Sequence, residues 1–149
     1  MLRRRALYSI LGSTGDYIRV DANDRCIALR RQPSFDYAIF MHAELIVVQP
    51  SSFFHGKVFF EVGCVDRSFD YAMDYDLILR LAQCGKVLHI GGYLSAFRIH
   101  PMSKTVAGRS RSVVERRRAL LKNLCRTPLP RELGILRCYH TARSYLRKL

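Results

Sequence analysis

Between Asp16 and Val20 polar and apolar residues alternate, and Cys26-Ile27-Ala28-Leu29 follows after the turn-forming run Asp21-Ala22-Asn23-Asp24. Side chains of a strand point to its two faces in turn, and Asp and Asn favour turns, so these residues are predicted to form a β-hairpin. Upstream, Leu2 to Leu11 reads as the end of an amphipathic helix that Gly12-Ser13-Thr14-Gly15 breaks. The segment Ala38 to Val48 is apolar around His42 and Glu44, and its periodicity fits helix and strand equally. Gln49-Pro50-Ser51-Ser52 has turn chemistry, and Gly56 to Val62 is predicted as a short helix stopped by Gly63. From Asp76, Leu77, Ile78, Leu81 and Ala82 follow helical spacing until Gly85. Lys86 to Ile90 and Leu94 to Ile99 are strand candidates on either side of Gly91-Gly92, and the chain from Ser112 is helical in propensity until Pro128 and Pro130.

A chain of 149 residues with 49% hydrophobic side chains has the material for one folded core. The formal charge of +13 divides unequally. Residues 1–105 carry 13 Lys or Arg against 10 Asp or Glu, and residues 106–149 carry 12 against 2. The division separates residues 1–105, read as one domain, from a basic, mostly helical tail over 106–149. Such a tail suits an anionic surface, whether phospholipid or nucleic acid. The five cysteines are odd in number, widely spaced and without a C-x-x-C pair, which points away from zinc and toward a reducing compartment. Met1-Leu2-Arg3-Arg4-Arg5 imitates a signal sequence, but the apolar stretch after it is brief and lacks an A-x-A-like cleavage site. No apolar run approaches the roughly 20 residues that span a bilayer. The expected location is cytoplasmic, with peripheral contact at the inner face of the membrane.

Asp66, Asp70, Asp74 and Asp76 gather four carboxylates in one short loop of a basic protein. The plain reading is helix capping, with Asp74 as N-cap and Asp76 in the first turn, where the macrodipole favours negative charge. The surrounding words shift the balance toward chemistry. Gln49-Pro50-Ser51-Ser52-Phe53-Phe54, Glu61-Val62-Gly63, Met73-Asp74-Tyr75-Asp76-Leu77, Leu79-Arg80-Leu81 and Phe97-Arg98-Ile99-His100-Pro101-Met102-Ser103-Lys104-Thr105 stand in the order and spacing of the family 2 glycosyltransferases. Over about residues 15–105 the chain resembles the acceptor-side half of such an enzyme.

The resemblance implies a partial GT-A fold: an α/β arrangement with a mixed sheet and flanking helices. It implies inverting transfer of a sugar from a nucleotide-diphospho-sugar to an acceptor hydroxyl, with Asp74 as the base that removes the acceptor proton. The family often has Glu-Asp where this chain has Met73-Asp74, so the base is kept and its neighbouring carboxylate is not. Asp76 and Arg80 fall on the following helix, where an i,i+4 ion pair and substrate contact are both open. Arg98 would face the diphosphate together with His100, which resembles the late histidine that helps hold a divalent cation, manganese or magnesium. Gln49, Ser51 and Ser52 would line the acceptor side, although turn formation is the commoner work of such residues. Asp74-Tyr75-Asp76 is not the family's D-x-D, because it opens a helix late in the chain. The D-x-D and the nucleotide-binding unit have no counterpart in this sequence, so the chain is expected to be truncated and incomplete alone. The implied partners are a nucleotide-diphospho-sugar donor, a glycan or lipid-linked acceptor, an anionic membrane surface, and a chain supplying the nucleotide-binding half.

Two other readings stand beside this one. A non-catalytic remnant or interaction module would also lack the nucleotide half. A nucleic-acid binder would use Arg109-Ser110-Arg111 and Glu115-Arg116-Arg117-Arg118, but no helix-turn-helix, zinc-finger or RNA-recognition word accompanies them, and a solvated helix face explains them better.

Overall fold

A computed structural model describes residues 8–35, 37–42, 48–104 and 108–124. Strand β1 (Tyr8–Val20) is the centre of a four-stranded mixed sheet. Along one edge it pairs antiparallel with β2 (Cys26–Arg30) through Tyr17 to Val20, and with β3 (Ser52–Phe54) through Gly12 to Thr14. It also pairs in parallel with the long strand β4 (Gly85–Arg98). Helices α1 (Tyr37–His42), α2 (Gly56–Glu61), α3 (Met73–Ala82) and α4 (Arg109–Leu124) flank the sheet, and a 3-10 turn (Gln49–Ser51) leads into β3. The chain is thus α/β with an open sheet.

The predicted hairpin is present. Its turn closes because the Asp21 carboxylate accepts from the amides of Asn23 and Arg25, while Asp24 takes a left-handed φ of 62°. Gly63, with φ +88°, follows α2 as expected. Of the undecided apolar segment, residues 38–42 belong to the helix Tyr37–His42, and residues 43–47, Glu44 among them, lie outside the described residues.

Two expectations are corrected. Residues 8–11, predicted at the end of a helix, begin β1 instead, and the glycines predicted to break that helix lie inside the strand. Close approach explains the glycines: a Cβ on Gly12 would run into the Phe53 carbonyl oxygen, and one on Gly15 into the Leu94 side chain. Residues 1–7 of the predicted helix lie outside the described residues. The two strands expected around Gly91-Gly92 are one strand with a bulge, since Gly15 pairs with Ile90 and the next residue, Asp16, with Tyr93. Gly92 takes φ +119° there.

Helix α3 is the hub of packing because its apolar residues face three ways. Ile78 and Leu79 pack with Phe40 and Met41 of α1, and Leu81 packs with Leu11 of β1, Val58 of α2 and Cys84. At its beginning, Ala72 and Tyr75 meet Phe69 and Ala119 of α4. Ser112, Glu115, Ala119 and Asn123 recur on α4 at helical spacing, and Ala119 and Asn123 are buried. The helical tail predicted from Ser112 is present to Leu124, and Pro128 and Pro130 lie outside the described residues. Among the described residues no helix is long and apolar enough to cross a membrane.

Candidate functional site

The acidic loop runs from Asp66 into the first turn of α3, and its four carboxylates have different surroundings. Asp76 is fully buried. Its Oδ2 accepts from Arg80 Nε at 2.9 Å and lies 2.7 Å from Arg80 Nη2, and its Oδ1 accepts from Asn123 Nδ2 at 2.9 Å, with Lys122 Nζ at 3.4 Å. The i,i+4 pair that the spacing allowed is present, and it is extended by two residues of α4. Arg80 is fixed a third way, donating from Nη1 to the Val62 carbonyl at 2.6 Å. Asp66 pairs with Lys122, whose ammonium holds the carboxyl well below the usual carboxylate range. Asp70 is exposed.

Asp74 is half-buried and lies in the first turn of α3. The N-cap of that helix is Ala72, two positions before Asp74, which was expected to cap it. Among the described residues the hydrogen bond to the Asp74 side chain is the one its Oδ1 accepts from the Tyr75 amide at 2.8 Å, and no cation pairs with it. Such a carboxylate keeps acceptor capacity for an incoming hydroxyl and is favoured by the helix macrodipole. Tyr75 beside it is pushed up to about 12, chiefly by burial. Its hydroxyl faces the carbonyls of Phe40 and Met41, at 3.4 and 3.3 Å.

The loop is held from outside. Glu115 Oε2 accepts from three successive amides, those of Asp70 at 2.9 Å, Tyr71 at 2.6 Å and Ala72 at 3.1 Å. Arg118 donates to the Ser68 carbonyl and hydroxyl and lies over the Phe69 ring, 4.4 Å from its centre. Lys104 donates to the Asp70 carbonyl at 2.9 Å and lies over Tyr71. Lys104 follows the turn in which the Ser103 amide donates to the His100 carbonyl. The structure therefore joins the His100–Lys104 turn to the loop that carries Asp74, two segments about 30 residues apart in the chain.

The other expected site residues lie elsewhere. Arg98 is exposed at the end of β4 and pairs with Asp24 at the hairpin turn. Gln49 is exposed on the 3-10 turn. Ser52 Oγ donates to the Val48 carbonyl at 2.9 Å. Ser51 is buried, where its hydroxyl donates to the Asp16 carbonyl and lies 2.5 Å from Ser95 Oγ. Asp16 is buried too, accepts from the Gln32 amide at 2.7 Å and lies 3.5 Å from His89 Nε2. His100 is half-buried. Among the described residues no three His, Cys, Asp or Glu come together as a metal site. Within the acidic loop the carboxylates of Asp66 and Asp76 are paired with cations, and His100 offers one imidazole.

Sequence reasoning missed Glu115, Asn123 and the pair of Asp16 with His89. For Glu115 a signal existed, since it is one of only two acids in residues 106–149, but it read as part of an arginine run. Asn123 carried none, because an Asn is unremarkable at any one helical position. No protein-family model and no curated protein sequence matches the chain.

Proposed function

We propose that the chain is the acceptor-side part of an inverting glycosyltransferase that moves a sugar from a nucleotide-diphospho-sugar to an acceptor hydroxyl, with Asp74 as the base. The observation that carries this reading is the contrast within one loop: Asp66 and Asp76 are engaged by cations, and Asp74, at the position the resemblance gives to the base, is not. In the proposed step Asp74 takes the proton of the acceptor hydroxyl as its oxygen forms a bond to the anomeric carbon. The bond from that carbon to the diphosphate breaks, and the nucleoside diphosphate leaves with the electron pair. The anchored turn before α3 holds the base in place, and such positioning lowers the barrier to a displacement. Asp76 and Ser51 act structurally in this account, being buried among partners.

The nucleotide and the diphosphate need groups beyond those described, supplied by a longer polypeptide or a second chain, and no step is assigned to a metal. A partial fold of the GT-A type, a cytoplasmic site of action and a glycan or lipid-linked acceptor belong to the same proposal. Docking on anionic lipid is part of it too, and falls to cations other than Arg118 and Lys122, which face the acidic loop. A non-catalytic interaction module is the second reading.

One experiment separates the two. The native protein, isolated from its own cells with any partner chain, is given a panel of nucleotide sugars and assayed for nucleoside diphosphate release and sugar transfer. Asp74→Asn should lower transfer by about 100-fold or more, the scale of a lost general base, with the circular dichroism spectrum unchanged. Transfer that survives the substitution removes Asp74 as base, and a native protein inactive on every donor favours the module.

A further inference from the structure

The contact between Glu115 and the turn before α3 differs from the other contacts of α4 with the loop. One carboxylate oxygen receives three consecutive main-chain donors at 2.6 to 3.1 Å. Those donors belong to Asp70, Tyr71 and Ala72, and the chain turns into α3 at the next residue, with Asp74 one further on. Ala72 provides no side-chain cap of its own, and helix α3 begins its own ladder with the Asp76 amide donating to the Ala72 carbonyl. Three convergent amides form a concavity for an anion, and bonds to a charged acceptor are the stronger kind. Here α4 supplies that anion from 43 to 45 residues away in sequence.

The site of attachment on α4 is itself fixed. Ala119 is fully buried against Ala72 and Phe69, and Asn123 reaches the buried Asp76 from about one turn further along the helix. Arg118 and Lys122 hold the far end of the loop at Ser68 and Asp66. Gly108, just before α4, leaves no room for a side chain beside the Tyr71 ring. Glu115 therefore projects from a rigid helix into the one turn that sets where α3 begins.

We propose that Glu115 is the positioning residue of the site: it fixes the turn 70–72 and, through it, the direction of the Asp74 carboxylate. This inference rests on the sugar-transfer reading of Asp74, and it makes the basic helix part of the catalytic unit rather than an appendage. A displacement of about 1 Å at a reacting group can cost about 100-fold in rate, so loss of this anchor should appear in kcat rather than in KM.

The test compares Glu115→Ala, the isosteric Glu115→Gln, and Arg117→Ala on the exposed face of α4 as control, all in the native protein. Amide hydrogen exchange at Tyr71 and Ala72 is read first, because it needs no substrate. The alanine variant should exchange about 10-fold faster or more at those two amides, and its turnover of a nucleotide sugar should fall about 10- to 100-fold at unchanged KM, on the scale of a lost orientation. Glu115→Gln keeps an acceptor oxygen and should recover part of both effects, and Arg117→Ala should change neither. If Glu115→Ala does not fold, the glutamine variant carries the same comparison. Full turnover per folded molecule in the Glu115 variants, with Asp74→Asn inactive, overturns the positioning role and leaves the transfer reading standing. Wild-type turnover by Asp74→Asn instead sinks the transfer reading and the role of Glu115 with it. Unchanged exchange at Tyr71 and Ala72 overturns the anchor whatever the activity.

Discussion

Replacing Asp76 with Asn removes the charge at the centre of the contact between α3 and α4. The carboxylate is fully buried, Arg80 is 10% exposed, and the two share contacts at 2.7 and 2.9 Å. Breaking a buried pair by removing one partner typically costs about 3–5 kcal/mol, because the remaining charge stays desolvated. Two features place the expected loss at the low end. Arg80 keeps its bond to the Val62 carbonyl, and Lys122, less buried, keeps Asp66. We expect about 3 kcal/mol, a large share of the roughly 5–15 kcal/mol by which domains are stable. Urea unfolding followed by circular dichroism at neutral pH reads this directly. With a slope of about 1.5 kcal/mol per molar, the midpoint should fall by about 2 M. The double variant Asp76→Leu with Arg80→Met should regain much of the loss, since apolar replacement of a whole buried pair is often neutral. A loss below about 1 kcal/mol, the range of exposed ion pairs, would refute the argument that this carboxylate is a buried structural group.

Two further predictions concern the sheet and Tyr75. Gly12→Ala should destabilise by about 1–3 kcal/mol, the usual cost of overpacking, because the added methyl meets the Phe53 carbonyl oxygen of the adjacent strand; a thermal melt unchanged from wild type would count against the β1–β3 pairing. Tyr75 should ionise at about 12, with burial as the main cause. Its unfolded form ionises near about 10, so the contribution to stability is complete below that pH and is lost as pH rises from about 10 to about 12. Ultraviolet difference absorbance of wild type against Tyr75→Phe measures this, and a Tyr75 component titrating near the ordinary value would contradict the burial described here.

What the sequence revealed follows the range of the interactions involved. The hairpin was legible because alternation and the Asp21 turn are local, and α3 was legible from its apolar spacing, although it ends at Ala82 and Gly85, expected to stop it, opens β4. The start of β1 was not, since Ile10 and Leu11 suit a helix as well as a strand and only pairing with β3 and β4 decides. Gly91-Gly92 read as a break because a bulge and a turn draw on the same residue, and the partner strand distinguishes them. The ion pair of Asp76 with Arg80 could be anticipated at i,i+4, but the burial that makes it structural comes from Asn123 and Lys122 on α4. The arginine-rich stretch read as a surface for external anions, and part of it, Arg118 with Lys122 close behind, instead faces the chain's own acidic loop. Glu115 among those arginines became meaningful only when α4 was seen against the turn before α3.

Under the proposed function Asp74 and Asp76, carboxylates separated by one residue, do different work. Turnover of a nucleotide sugar per folded molecule by Asp74→Asn and by Asp76→Asn, measured side by side in the native protein under conditions where both remain folded, tests it most directly. Loss of about 100-fold or more is expected for Asp74→Asn, with stability retained, and near-normal turnover for a destabilised Asp76→Asn. Normal turnover with Asn at 74, or a loss confined to the substitution at 76, would contradict this reading.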